Sequence, residues 1–99
     1  MKVSLKPLLD VDRVIHEPAR LMIASLLYLS SEADFRWLLN RTELTKGNLS
    51  NHLGKLEQAG YVEVEKRFRG KIPQTLYRLT AVGRKQFERY RAAMRKALA

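Results

Sequence analysis

Residues 45–62 of this 99-residue chain, TKGNLSNHLGKLEQAGYV, contain its clearest structural pattern. Three leucines, Leu49, Leu53 and Leu56, recur at helical spacing and form one narrow apolar stripe. The opposite face carries small residues, including two glycines, although each glycine inside a helix costs about 1 kcal/mol relative to alanine. The spacing therefore predicts a helix that buries its leucines and leaves an unusually bare face in solvent.

Both ends of this helix carry residues that suit helix ends. The Thr45 hydroxyl can accept a free backbone N–H of the first turn, and Gly60 suits the left-handed residue that follows a helix. After Gly60 the pattern changes from helical spacing to alternation, because Val62 and Val64 alternate with glutamates. This alternation predicts a half-exposed strand.

The rest of the chain is predicted to form helices and one returning strand. Pro18 suits the first turn of a buried helix, and Asp34 and Thr80 can each cap a helix. Pro73 does not fit a paired central strand, so we expect the turn RGKIP to include it. The predicted elements are helices at 11–15, 17–29 and 35–41, a loop at 30–33, a tight turn at 42–44, a turn at 69–73, a strand at 74–80 and a last helix from 81 to the chain end.

This order of elements predicts the fold class. Two short helices joined by a tight turn form a helix-turn-helix, and a β-hairpin follows it. We expect a mainly α protein with a small β-hairpin. Residues 1–99 are assigned to a single domain, which divides into an N-terminal arm (1–10), the helix-turn-helix (34–60), the β-hairpin (61–80) and a C-terminal helix (81–98).

Composition limits the classes of function. The chain has no cysteine, which excludes disulfides and thiolate metal sites, and His16 and His52 lack metal-ligand spacing. We therefore expect no metal and no cofactor. The longest apolar run, Leu21–Leu29, is about half of a membrane span, and the N-terminus has no signal-peptide cleavage site. A cytoplasmic protein without membrane contact is the expectation.

The net charge of +9 lies almost entirely in the second half of the chain. Residues 1–40 carry as many acidic as basic side chains, whereas basic side chains dominate from residue 61 onward. Such asymmetry favours a polyanionic partner, with nucleic acid ahead of a membrane surface or an acidic protein. A role in solubility alone is the other reading of the charge.

The bare face of the central helix has the chemistry of a DNA reader. In a helix-turn-helix the second helix enters the major groove, where asparagine can pair with adenine and lysine can reach guanine or phosphate. Gly47 and Gly54 would let the backbone approach DNA closely, unless both are merely tolerated. The candidate DNA-binding residues of this helix are Thr45, Lys46, Gly47, Asn48, Ser50, Asn51, His52 and Lys55.

The hairpin adds a second cationic surface. Four basic residues crowd its tip around Phe68, with Pro73 at the exit. Contact with phosphates or with the minor groove is the natural use of such a cluster, because lysines and arginines that neutralise phosphates supply most non-specific affinity for DNA. The other reading is a solvated turn. The candidate DNA-binding residues of the hairpin are Lys66, Arg67, Arg69 and Lys71.

The last helix carries an apolar stripe on an otherwise basic rod. This stripe either packs on the chain's own first helix or forms a two-fold interface with a second copy. We favour the second copy, because the far end of the helix would overhang so small a domain. The candidate dimer-interface residues are Leu5, Leu8, Leu9, Phe87, Tyr90, Met94 and Leu98.

Two motifs resemble the winged-helix transcriptional regulators of bacteria and archaea, close to the small single-domain group near the MarR and ArsR families. They are S-x-H-L-x-x-L-E-x-A-G-Y-V at residues 50–62 and Y-x-L-T-x-x-G at residues 77–83, and the resemblance covers residues 10–98. It implies a winged helix-turn-helix fold, in which residues 1–99 form a single winged-helix DNA-binding domain with residues 61–80 as the β-hairpin wing and residues 81–98 as the C-terminal dimerisation helix. It also implies a dimer on a near-palindromic operator, a recognition helix in the major groove and a wing on the flanking backbone.

The resemblance has departures. An ArsR-type metal sensor needs a cluster of ligands that this chain lacks, and 99 residues leave little room for the ligand pocket of longer MarR-type chains. Histidines at the position of His52 commonly lie at the protein–DNA margin in such helices, and a position at the edge of the core is equally open.

The functional expectation is a sequence-specific regulator of transcription that binds double-stranded DNA as a homodimer. The alternative is a winged-helix protein-interaction module without sequence-specific DNA readout, since a fold does not fix a function. The carboxylates show no catalytic pairing and the chain has no nucleophile motif or phosphate loop, so we do not expect an enzyme. No small-molecule effector can be named from the sequence.

Overall fold

A computed structural model describes residues 4–98, which fold into helices and a three-stranded antiparallel sheet of order β1-β3-β2. The predicted class, a mainly α winged helix with a small hairpin, is confirmed. The first three residues of the N-terminal arm and residue 99 lie outside the described part. In chain order the elements are a 3₁₀ helix (Lys6–Asp10), α1 (Pro18–Ser30), β1 (Ala33–Asp34), α2 (Phe35–Thr42), α3 (Lys46–Gln58), β2 (Val62–Arg69), β3 (Ile72–Leu79) and α4 (Ala81–Leu98).

The predicted helix caps are present. Asp34 accepts the N–H of Trp37 at 2.7 Å, and Thr45 accepts that of Asn48 at 3.1 Å. Gly60 has a φ of 80°, the left-handed conformation that ends α3 at little cost for glycine. The ends of α2 and α3 are therefore fixed by local bonds that the sequence specifies.

The helix predicted at Val11–Ile15 is wrong. The carboxylate of Asp12 accepts the N–H groups of Val14 and Ile15 at 2.8 and 3.1 Å, which folds this segment into a turn. Such side-chain bonds compete with helical backbone bonds. The short helix lies earlier instead, as the 3₁₀ helix that begins at Lys6.

The hairpin turn is shorter than predicted. Gly70 and Lys71 alone form it, with Gly70 at a φ of 65°, and Pro73 lies within β3 opposite Phe68. A proline is tolerated there because β1 is only two residues long and pairs with Leu76 and Tyr77, so that β3 is an edge strand at Pro73. The predicted loop at 30–33 likewise ends in the first residue of β1.

Two apolar clusters form the core. The larger one joins α1, the helix-turn-helix and the inner end of the hairpin, and it includes Ile23, Leu27, Leu38, Leu49, Leu53, Leu56, Val62 and Leu79. The smaller one joins the N-terminal segment, α1 and α4 through Ile15, Ala24, Phe87 and Tyr90. The first cluster positions the candidate site, and the second positions the last helix.

The second cluster corrects the predicted dimer interface. Phe87 and Tyr90 are only 4% and 5% exposed within their own chain, and Met94 packs against the same cluster. The phenol of Tyr90 also hydrogen-bonds Nδ1 of His16 at 2.7 Å. The stripe therefore packs largely on its own chain, because the 3₁₀ helix and α1 both lie against α4. Leu8 is half-buried, whereas Leu5, Leu9 and Leu98 remain exposed.

Tyr61, which joins α3 to β2, lies where the first turn of α4 packs against the backbone. Its carbonyl accepts the N–H of Thr80 at 3.0 Å, and Thr80 caps α4 through a 2.9 Å bond to the N–H of Gly83. The phenol donates to the carboxylate of Asp12, and Gln86 donates to both groups at 3.2 Å. Burial, together with the neighbouring carboxylate, raises the pKa of the Tyr61 phenol.

The close contact between α4 and the backbone of Tyr61 leaves no room for a side chain at Gly83. A Cβ there would lie 2.0 Å from the carbonyl oxygen of Tyr61. We expect Gly83→Ala to lower the free energy of unfolding by about 2–4 kcal/mol, because the helix and the strand junction must separate. Urea unfolding measures the change.

Gly54→Ala is the matched control, because nothing lies within 4 Å of the Cβ position at Gly54. This variant is expected to be as stable as the parent or up to about 1 kcal/mol more stable. A Gly83→Ala protein with the parent's stability would contradict the close contact.

Candidate nucleic-acid interface

The candidate site is built on α3, whose orientation is set by its three leucines. Leu49, Leu53 and Leu56 are fully or almost fully buried against α1 and the inner hairpin. Because these leucines occupy one side of the helix, the opposite side must face solvent.

The exposed side of α3 contains most of the predicted DNA-binding residues. Neither Gly47 nor Gly54 has any atom within 4 Å of its Cβ position, so packing within residues 4–98 does not require glycine at either place. The predicted residues that are exposed are Thr45, Lys46, Gly47, Asn48, Ser50, Asn51 and Lys55.

The turn between α2 and α3 is held by short-range bonds. Thr42 is buried, and its hydroxyl donates to the carbonyl of Leu38 at 2.8 Å. Glu43 adopts a left-handed conformation, with a φ of 58°, and its N–H donates to the carbonyl of Leu39 at 3.1 Å. Leu44 then packs against the larger cluster. These contacts fix the angle at which α3 leaves α2.

His52 is the exception among the predicted residues, because its side chain is half-buried within the chain. Nδ1 of His52 lies 3.1 Å from the Arg20 guanidinium and 3.4 Å from the Glu17 carboxylate. His52 thus ties α3 to the first turn of α1.

Glu17 takes part both in the contact with His52 and in the cap of α1. Its carboxylate accepts the N–H groups of Ala19 and Arg20, both at 2.9 Å, and so caps α1. Burial acts to raise the pKa of Glu17, but these two bonds and the nearby His52 and Arg20 outweigh it and lower the pKa on balance. The carboxylate is therefore ionised at neutral pH, and it holds α1 and α3 together.

The outer half of the hairpin is exposed on both faces. Every residue from Lys66 to Pro73 is exposed, because the short strand β1 covers β3 only at its inner end. The four predicted wing cations all lie in this exposed part. They are Lys66, Arg67, Arg69 and Lys71.

One of the four cations is partly neutralised. Arg67 lies 3.6 Å from Glu32 and 3.8 Å from Glu65, whereas Lys66, Arg69 and Lys71 form no ion pair with any residue between 4 and 98. The hairpin therefore presents three cations that form no ion pair within residues 4–98 and one that already has acidic neighbours.

Arg78 is a residue that the sequence reasoning missed. It pairs with Glu32, Glu63 and Glu65 and so ties the inner end of the hairpin to the loop after α1. The signal was available, since a two-residue turn at Gly70 places Glu63 directly opposite Arg78 in the register. The turn predicted at 69–73 is longer and does not give this register, so the pairing of Glu63 with Arg78 was missed.

A second missed contact joins α2 to the hairpin. Gln74 donates to the carboxylate of Asp34 at 3.1 Å, beside the cap that Asp34 provides to Trp37. These two hydrogen bonds, the Trp37 N–H first, lower the pKa of Asp34 despite partial burial, with help from the charges of Arg36 and Arg69. The groove beside this contact has a volume of about 500 Å³ and is lined by Asp34, Phe35, Arg36, Arg69, Ile72, Pro73, Gln74 and Thr75.

The described residues contain neither a cluster of metal ligands nor a membrane-spanning helix. Within residues 4–98, no three imidazole or carboxylate groups lie close enough to hold a metal ion. Over the same range, no helix has both the length and the apolar character to cross a bilayer.

The chain is similar to known DNA-binding domains. It matches the family model described as a winged helix DNA-binding domain over residues 19–98. It is also 35% identical over 79 residues to an uncharacterized protein of Methanocaldococcus jannaschii, an alignment that covers 79% of this chain and 85% of the relative.

Solved structures give the same result. A transcriptional regulator homologue from Pyrococcus horikoshii OT3 has a TM-score of 0.86 at 26% identity, over 95% of this chain and 92% of that one. A structure described as a MarR-family regulator from Enterococcus faecalis V583 has a TM-score of 0.73 at 20% identity, over 83% and 74% of the two chains, and shares the fold. The resemblance drawn from the motifs is confirmed, and this fold is one of transcriptional regulators rather than of enzymes.

The Asp34 contact gives a pH-dependent stability. Because the pKa of Asp34 is lower in the folded chain than its usual 3.8, its contribution is present above that value and is lost as the pH falls through the folded pKa. We expect Asp34→Asn, which keeps a capping oxygen, to be less stable than the parent at about pH 6 and equally stable at about pH 2.

Urea unfolding at both pH values measures this difference. Asp10→Asn, at an exposed carboxylate of the 3₁₀ helix, is the control and should match the parent at both. A destabilisation by Asp34→Asn that is the same at both pH values would show that the charge of Asp34 contributes nothing.

Proposed function

The chain belongs to the family of winged helix DNA-binding domains, and we propose that it is a homodimeric regulator of transcription that reads a specific sequence of double-stranded DNA. One observation carries this proposal. The polar, lysine-bearing side of α3 is exposed, and the chain continues from α3 directly into an exposed cationic hairpin. A helix that fits the major groove and a basic loop that follows the backbone are the two parts that such recognition needs.

We assign the recognition of bases to the exposed side of α3. Asn48 and Asn51 carry amides that can make two hydrogen bonds to the edge of an adenine, and Lys55 can reach guanine or phosphate. Gly47 and Gly54 leave the backbone bare between them. The helix can therefore approach the base edges closely enough for these short side chains to reach.

Backbone contact is assigned to the wing. Lys66, Arg69 and Lys71 are exposed and form no ion pair within residues 4–98, so they can replace counterions on phosphates without breaking an internal ion pair. Arg67 would have to leave Glu32 and Glu65 to do the same. We rank it below the other three.

A homodimer is part of the proposal. Leu9 lies in the 3₁₀ helix that packs on α4, Leu5 immediately precedes that helix, and Leu98 ends α4. Three exposed leucines therefore lie on or next to two elements in contact with each other. A second copy that covers them would bury apolar surface. Two copies would double the contacts of one small domain, and a two-fold axis would match a near-palindromic operator.

The cytoplasm of a bacterial or archaeal cell, where its DNA lies, is the expected location. The alternative of a protein-interaction module has less support, because residues 46–55 outside the leucine stripe include no acidic and no large apolar side chain. A docking helix for a protein partner would carry such side chains.

The experiment that tests the proposal selects bound fragments from a pool of random duplex DNA. We expect the parent to enrich one sequence. Asn48→Ala or Asn51→Ala should weaken binding to that sequence by about 1–3 kcal/mol and change which base is preferred at one position, because a paired amide is lost.

Lys55→Ala and Lys71→Ala are the controls within the same binding assay. Each should weaken binding to all sequences about equally and reduce the dependence of affinity on salt, because a phosphate contact is lost rather than a base contact. A parent that enriches no sequence, or asparagine variants with the parent's preference, would contradict the assignment of α3 as the reader.

A further inference from the structure

The tip of the hairpin carries apolar side chains that its own chain does not cover. Phe68 is 71% exposed and Ile72 is 67% exposed. They are the outermost large apolar side chains next to the turn at Gly70 and Lys71. A solvated turn has no use for two such residues, since exposed apolar surface is unfavourable in water.

The two residues lie on opposite faces of the hairpin. Phe68 is paired with Pro73 and Ile72 with Arg69, and cross-strand partners share a face. By alternation, Phe68 also shares its face with Val62, which packs on the helical core at the inner end of the hairpin. The tip is therefore apolar on both faces over its last residues, with a width of only two strands.

Charge, together with the match to a DNA-binding domain, identifies the partner that this apolar tip fits. Lys66, Arg69 and Lys71 surround it and form no ion pair within residues 4–98, so a polyanionic surface with an apolar interior suits both properties. Stacked base pairs flanked by two phosphate backbones are such a surface. Proteins that insert Phe, Ile or Pro between base pairs from the minor groove unstack one step and bend the duplex.

We infer that the tip of the wing, Phe68 with Ile72 behind it, is an apolar wedge that enters the minor groove beside the operator, partly unstacks one base step and bends the DNA. The inference rests on the proposed function and extends it from backbone contact to deformation of the duplex. Bending makes the flanking sequence part of the recognised site, because flexible steps cost less to unstack.

Energy transfer between two dyes tests this. The probe is the duplex enriched by the parent protein, about 30 base pairs long and hence straight when free, with a donor at one end and an acceptor at the other. At saturating parent protein, transfer should rise above that of the free duplex. Phe68→Ser should bind with transfer close to that of the free duplex, and Phe68→Leu, which keeps an apolar wedge, should restore the rise.

Two controls isolate the wedge. Leu29→Ser alters an equally exposed leucine on α1 and should leave both affinity and transfer unchanged. Lys71→Ala should weaken binding but leave the transfer of the saturated complex unchanged, because it removes a phosphate contact and not the wedge. Circular dichroism confirms that each variant is folded.

The outcomes separate the inference from the proposed function. A parent protein that enriches no duplex contradicts both. An enriched duplex that stays straight in the complex, or a Phe68→Ser complex that is bent as much as the parent complex, overturns the wedge alone. A change in sedimentation of free Phe68→Ser would assign the tip to contact between two copies of the chain and would equally overturn it.

Discussion

The burial of Leu49, Leu53 and Leu56 against α1 fixes the rotation of α3 about its own axis. Each of these side chains is almost completely removed from water, and a rotation of the helix would expose at least one of them at a cost of about 1.5–3 kcal/mol. The polar side of the helix, with Asn48 and Asn51, is thereby held in one direction. A helix that recognises bases must hold its polar side in one direction, because a side chain displaced from the base edge loses its hydrogen bonds.

The junction at Tyr61 connects α3 to the wing, to α4 and to the N-terminal segment. Its carbonyl binds the end of β3, its backbone meets α4 at Gly83, and its phenol meets Asp12 of the N-terminal segment. The residues that end α3, begin the wing and start α4 are therefore one packed unit. The inner end of the wing is packed against the core, and only its outer half, from Lys66 to Pro73, extends into solvent as an exposed two-stranded ribbon.

Local signals explain what could be predicted from the sequence. Asp34, Thr45 and Gly60 act within a few residues of themselves, so their roles follow from residue type and spacing. The prediction was poorer where distant segments compete. Phe87 and Tyr90 form an apolar stripe that either its own chain or a second copy could cover, and periodicity does not distinguish the two. His52 is held by Glu17 and Arg20 of another helix, and no feature near His52 indicates that contact.

We propose that two copies of this chain bind one operator, each with α3 in the major groove. Hydroxyl-radical footprinting on the enriched duplex distinguishes one bound copy from two, since it maps where the backbone is covered. We expect two blocks of protection related by two-fold symmetry, with centres separated by about 10–10.5 base pairs or a multiple of that. A single block of protection, or uniform protection along the duplex, would contradict it.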